Sequence, residues 1–220
     1  RGAENRVTRR DGYCIVAFTW LLFTGFGMLP FYISGSIPSV TDAFFETMSG
    51  FTTTGATILD DIEALSHGML FWRSFSQWIG GLGIVFFTIA VLPIFGVGNQ
   101  VLFSAEATGV THDKIHPKIS VMAQCLWTVY LVLTVAEIVL LLIGGMDLFD
   151  AACHAFSTTA TGGYSTKQAS VAYWNSPFIE YVIAIFMILS GINFSLYFMC
   201  MKGRCGQLFK DGELRLYLIS

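Results

Sequence analysis

The chain has 220 residues, 54% of them hydrophobic and only 12% charged, with a net charge of −3. Its mean hydropathy is +0.64. Soluble domains carry roughly 25% charged residues and could not bury this much apolar surface, so the composition excludes a soluble globular protein. The five cysteines (Cys14, Cys125, Cys153, Cys200 and Cys205) lack CxxC spacing and read as small hydrophobes, not as a disulfide or metal framework.

Crossing a bilayer takes about 20 apolar residues. Four segments meet that length: residues 13–34, 69–97, 119–144 and 177–201. The first is too long for the apolar core of a signal peptide and has no small-residue cleavage site before the next polar segment. Between the first pair of spans lies a polar segment, 42–57, and between the second pair another, 148–166. Each reads as a short helix followed by a Thr/Gly-rich turn. The helices are expected over 42–49, with Thr41 or Asp42 as N-cap, and over 148–157, with Asp147 or Asp150 as N-cap. At about 1.5 Å per residue neither can span, so each enters the membrane partway and returns. Irregular backbone at that depth must pack in protein or line a watery path. The polar linker 98–117 holds a possible short amphipathic helix, and Pro117 marks the start of the third span.

The two polar segments are copies of one another. Without a gap, Asp42 meets Asp150, Ala43 meets Ala151, Ser49 meets Ser157, Thr53 meets Thr161 and Gly55 meets Gly163. Residues 1–116 form one repeat and 117–220 a second, each ordered span, pore helix, filter loop, span. Each has an even number of crossings, so the repeats run parallel about an axis along the membrane normal. The predicted fold is an all-α membrane protein, half of a pseudo-fourfold, potassium-channel-like pore. Ten of the twelve basic residues fall on one side of this topology, Arg73 and Lys167 on the other. The basic side, with the linker, is therefore cytoplasmic and the pore loops face outside. That outer side carries Asp42, Glu46, Asp60, Asp61, Glu63, Asp147, Asp150 and Glu180, an acidic mouth that would concentrate cations.

A cation entering a narrow pore exchanges its water for backbone carbonyls, with threonine hydroxyls in support. Aligning carbonyls demands backbone angles that glycine reaches freely, which suits Gly55 and Gly163. The negative end of each short helix also favours a cation. Two loops cannot surround an ion on four sides. Two more are expected, from a longer chain of which this is a fragment or from a dimer of a two-repeat protein. The absence of an initial methionine and the tail 211–220, which reads like the run-in to another span, favour a fragment.

Three segments carry a family resemblance: Phe44–Leu59 (FFETMSGFTTTGATIL), Trp72–Pro93 (WRSFSQWIGGLGIVFFTIAVLP) and His154–Thr166 (HAFSTTATGGYST). In these the chain resembles the TrkH/KtrB superfamily of potassium transporters, and within it the bacterial TrkH branch. The resemblance implies four non-identical pore repeats and potassium uptake across the bacterial inner membrane. It also implies a homodimer in membrane lipid and a cytoplasmic, nucleotide-binding partner of the TrkA type. Potassium would be cargo, with no organic cofactor, no nucleic acid and no enzymatic activity. The filter strands it implies are Thr52, Thr53, Thr54 and Gly55, and Ala160, Thr161, Gly162 and Gly163. Of these, Thr53, Thr54, Thr161 and Gly162 are implied as potassium ligands. The family's gating loop belongs to a third repeat.

Other residues read more plainly. Glu137, inside the third span, is expected to pair with a polar group between helices. Arg73 and Gln77 lie one turn apart; Arg73 reads as a snorkelling anchor, with an ion pair to Glu46 as the other option. Gly80, Gly81 and Gly83 suit close packing against the pore helix more than a hinge. His112 and His116 are spaced for a metal but lack a third ligand nearby. His154 replaces Glu46 in the second repeat, and Asn193 reads as an interhelical hydrogen-bonding group. Several of the five tryptophans lie near span ends, as in an aromatic belt. Two other functions compete. A sodium-coupled cation carrier with re-entrant loops sits poorly with parallel repeats. A serine protease using Ser165 or Ser190 would need His154, at a spacing that recommends no dyad.

Overall fold

In the first span a proline sits in mid-segment. Pro30 has no N–H to donate, so the helix breaks before it: α1 (Arg9–Gly27) ends, and α2 (Leu29–Ile33) starts with Pro30 in its first turn. The computed structural model describes residues 9–91, 115–192, 196–197 and 212–219, with side chains for 14–83, 124–192, 196–197 and 214–217. The remaining helices are α3 (Val40–Phe51), α4 (His67–Val91), α5 (Ile115–Ile143), α6 (Leu148–Thr159), α7 (Pro177–Gly191) and α8 (Gly212–Ile219). A 3₁₀ turn covers Ser170–Trp174. No strand occurs among the described residues. Residues 98–114 of the expected linker 98–117, Asn193, Cys200, Cys205 and the side chains of the His112/His116 pair lie outside them, while residues 115–117 already belong to α5, which starts before Pro117.

The two short helices correspond residue for residue. Every position of α3 has its counterpart 108 places on in α6, from Val40 and Leu148 to Phe51 and Thr159. The caps obey the same offset. Asp147 accepts hydrogen bonds from the Phe149 and Asp150 amides, as expected of it. The first helix, however, begins two residues before the expected start. Ser39, not Thr41 or Asp42, is its N-cap and accepts from the Asp42 amide. A short hydroxyl side chain in extended backbone satisfies that first-turn donor, which leaves Asp42 free to sit in the first turn where the dipole favours it.

Stretches Cys14–Ile33 and Gln124–Ile143, 20 residues each, are apolar and long enough to cross a membrane; Pro177–Gly191 is apolar but shorter. The polarity is inside out. Phe18, Leu22, Phe26, Val132, Val135, Val139, Tyr181 and Ile185 are exposed, while Thr47, Arg73, Gln77, Thr134, Glu137, His154 and Thr159 are buried. In water such a surface would aggregate; facing lipid, it is satisfied.

The second pore helix, α6, packs against α4, α5 and α7, and α3 packs against α4 and α1. Helix α4 therefore touches both pore helices. Its glycines permit that approach. A Cβ on Gly80 would overlap the Phe51 carbonyl, and one on Gly81 would lie 3.1 Å from Ala160. A Cβ on Gly83 would have, among the described residues, only Trp20 near, at 3.9 Å. Two tryptophans depart from a simple belt. Trp72 donates to the Gly27 carbonyl at 2.9 Å and Trp78 to Thr134 at 3.1 Å, so both bond within the bundle. Cys125 and Cys153 are buried as expected, but Cys14 is exposed.

Candidate functional site

The two loops leave their helices by the same backbone route. In the first, the Thr53 amide donates to Gly50 and the Thr54 amide to Ser49; in the second, Thr161 donates to Thr158 and Gly162 to Ser157. This paired closure is a Schellman motif, which needs one residue in left-handed backbone. Both loops place threonine there: Thr53 and Thr161 each have φ of 55°. Glycine is the usual occupant, and a β-branched residue in that region is strained. Two residues on, Gly55 (φ 75°) and Gly163 (φ 81°) turn the chain again.

The loops meet each other. A Cβ on Gly55 would strike the Gly162 carbonyl, whereas one on Gly163 would meet nothing within 4 Å. Thr54, Thr161 and Gly163 are exposed, Thr52, Thr53 and Gly55 half-buried, and Ala160 and Gly162 buried. Among the described residues, no hydrogen bond ends on the carbonyl oxygens of 52–55 or of 160–163. Backbone carbonyls in folded protein are almost always paired. Here eight oxygens, four in each loop, accept no hydrogen bond from a described residue.

Behind the loops lies a buried polar network. Arg73 is 2% exposed, so it does not snorkel. Its Nε donates to Glu46 Oε1 at 2.7 Å, its Nη1 donates to the Ser165 carbonyl at 3.0 Å, and its guanidinium lies 3.6 Å from the Tyr164 ring centre. Glu46 also accepts from Thr57 Oγ1 and the Ile58 amide, both at 3.0 Å. The Tyr164 hydroxyl lies 3.0 Å from the Glu46 carbonyl and 3.1 Å from that of Ala56. One turn along α4, Gln77 Oε1 accepts from Ser157 Oγ at 2.7 Å and from the Tyr164 amide at 3.3 Å. Arginine and glutamine from the first repeat thus hold the loop of the second.

Several sequence expectations are corrected here. Glu46 and Asp150 do not face an open mouth. Glu46 is buried on Arg73, and Asp150 accepts from Thr166 at 2.7 Å with Lys167 at 3.8 Å. Burial beside a donor removes a carboxylate from the field an incoming ion meets. Glu137 is fully buried facing Thr158 and Thr159, yet neither of its oxygens is in hydrogen-bonding geometry with a described residue. His154 and Ser165 do approach, Nε2 to Oγ 3.0 Å, with Nδ1 2.7 Å from the Asp150 carbonyl. The same place in the first repeat holds Glu46 and Thr57, which marks the contact as a loop strut.

A family model described as TrkH, a cation transport protein, matches residues 2–212. The chain belongs to the TrkH family. It is 43% identical over 221 residues to the Trk system potassium uptake protein TrkH of Escherichia coli K12, covering 99% of this chain and 46% of that protein. It is 40% identical over 222 residues to the TrkH protein of Halomonas elongata, covering 100% and 46%. The crystal structure of the potassium transporter TrkH from Vibrio parahaemolyticus superposes with a TM-score of 0.83 at 38% identity, covering all of this chain and 44% of that one. The chain therefore spans about half the length of the curated relatives it matches. It shares the all-helical, pore-helix architecture of the TrkH fold.

The sequence does not show the roles of Tyr164 and Gln77 behind the loops. The available signal was Arg73 and Gln77 at i, i+4 on a largely apolar helix, which places both on one face. A paired arginine and amide on one buried face points inward to polar backbone.

Proposed function

We propose that this chain supplies two of the four loops of a potassium-conducting filter in a bacterial uptake protein. The carrying observation is that the eight carbonyls of Thr52–Gly55 and Ala160–Gly163, set in matched backbone at the C-terminal ends of two matched helices, accept no hydrogen bond from a described residue. Such oxygens replace a cation's hydration shell, and the helix ends add partial negative charge. Thr53, Thr54, Thr161 and Gly162 are the ligands this reading selects. The names of the relatives, potassium uptake proteins of a Trk system, support potassium as cargo.

In the rest of the reading, the repeat boundary and the orientation follow from sequence patterning, whereas the inner membrane, the homodimer and the regulator are what the family resemblance implies. The repeats divide at 116/117, the basic side faces the cytoplasm across the inner membrane, and the ring is completed by sequence equivalent to the relatives' remaining length. Assembly as a homodimer with a TrkA-type regulator completes it. Expression of the full-length protein in a bacterium lacking potassium uptake tests this. Growth on low potassium, lost in Gly163→Val while the protein still inserts, is the expected result. Undiminished uptake by that variant would count against the filter, and uptake that strictly required sodium would point to a coupled carrier.

A further inference from the structure

Gln77 is fully buried, and its amide orientation is determined by chemistry. The Tyr164 backbone N–H can only donate, so the group it meets at 3.3 Å must be Oε1. That turns Nε2 the other way, and Nε2 has no hydrogen-bond partner among the described residues. Its surroundings are the two strands themselves. A Cβ on Gly162 would lie 2.5 Å from Gln77 Oε1 and 2.6 Å from Nε2, so the bare glycine lies against the amide. A Cβ on Gly55 would lie 3.8 Å from Nε2. The amide is thus wedged between the strands, bonded to one and presenting a free NH2 toward the other. A buried donor without a partner is costly, and it persists where it serves a site.

We infer that Gln77 is a positioning residue that sets the spacing between the two filter strands and, through it, the preference for potassium over sodium. The two ions differ in the oxygen distance they require, so a wedge that holds Gly162 away from α4 and faces Gly55 acts on discrimination more than on passage. The inference rests on the proposed pore.

The test is uptake of potassium and sodium by the full-length protein in proteoliposomes, with Gln77→Asn, whose amide is one methylene too short to reach the strands, and Gln77→Glu, which keeps the acceptor for Tyr164 but loses the NH2. The expected result for Gln77→Asn is a fall of about tenfold in the potassium-to-sodium ratio, the worth of one to two hydrogen bonds, with a smaller change in maximal rate. Gln77→Glu is expected to lose less of the ratio than Gln77→Asn. An unchanged ratio in both variants overturns the inference and leaves the pore intact. Failure of both to accumulate in the membrane overturns it too, since the residue then serves folding alone. If the unaltered protein moves no potassium, the pore reading itself falls.

Discussion

Glu46 and His154 occupy the same place in the two pore helices, and each bonds the hydroxyl residue eleven positions on: Glu46 takes Thr57 Oγ1 at 3.0 Å, and His154 Nε2 lies 3.0 Å from Ser165 Oγ. The repeats preserve the strut while changing its chemistry. In the first repeat the acid also binds Arg73; in the second the imidazole rests on the Asp150 carbonyl and the edge of Trp174.

The two struts should differ in worth. Thr57→Ala leaves Glu46 held by Arg73 and the Ile58 amide, and the Leu59 amide it also releases is at an exposed site where water can replace the hydroxyl, so it should cost about 1 kcal/mol. Ser165→Ala strands His154 Nε2 and the Lys167 amide together, so it should cost more, about 1–3 kcal/mol. Thermal unfolding in detergent ranks them, and the reverse order would remove the strut reading. Potassium uptake surviving Ser165→Ala would count against Ser165 as a catalytic serine.

The Arg73–Glu46 pair is buried at both ends, 2% and 0% exposed at the side chain. Breaking one partner leaves an uncompensated charge, so Glu46→Gln or Arg73→Met should each cost about 3–5 kcal/mol. The double replacement Glu46→Met with Arg73→Met should recover part of that loss. Arg73→Lys should fail to substitute, because one ammonium cannot reach Glu46 and the Ser165 carbonyl with the arginine's fork. A lysine variant that melts like the parent protein would contradict this.

Gly55 and Gly163 separate conformation from space. Both have left-handed φ, but only Gly55 faces backbone, the Gly162 carbonyl. Gly163→Ala should therefore cost about 1–2 kcal/mol, the left-handed penalty alone. Gly55→Ala adds an overlap that neither strand can relieve without moving and should be clearly worse. Equal melting temperatures for the two variants would mean the loops do not touch.

Thr53 and Thr161 carry strain at φ 55°. Replacing either with glycine removes roughly 1–2 kcal/mol of strain and costs about 0.5–1 in backbone entropy, so stability should hold or rise by up to about 1.5 kcal/mol. Ion discrimination should fall, because glycine lets the carbonyls swing. Loss of stability with unchanged uptake would show that the threonines serve the fold.

The repeat, the pore helices, the Thr/Gly turns and the membrane setting were all legible in the order of residues. Each depends on local rules: apolar length sets a crossing, a cap sets a helix start, and a gapless match of Asp42–Thr57 to Asp150–Ser165 exposes the duplication. Even the misplaced N-cap was within reach, since extending that match backward sets Ser39 opposite Asp147. Tertiary structure alone decided what lies behind the loops. The bonds of Gln77 to Ser157, Arg73 to Ser165 and Tyr164 to Glu46 join residues 80, 92 and 118 positions apart. An arginine near a helix end can snorkel or turn inward at similar intrinsic cost. Only the packing of α4 between both pore helices brings Glu46 and the Ser165 carbonyl within its reach, and a charge buried among such partners is held there because leaving them would strand each in an apolar medium.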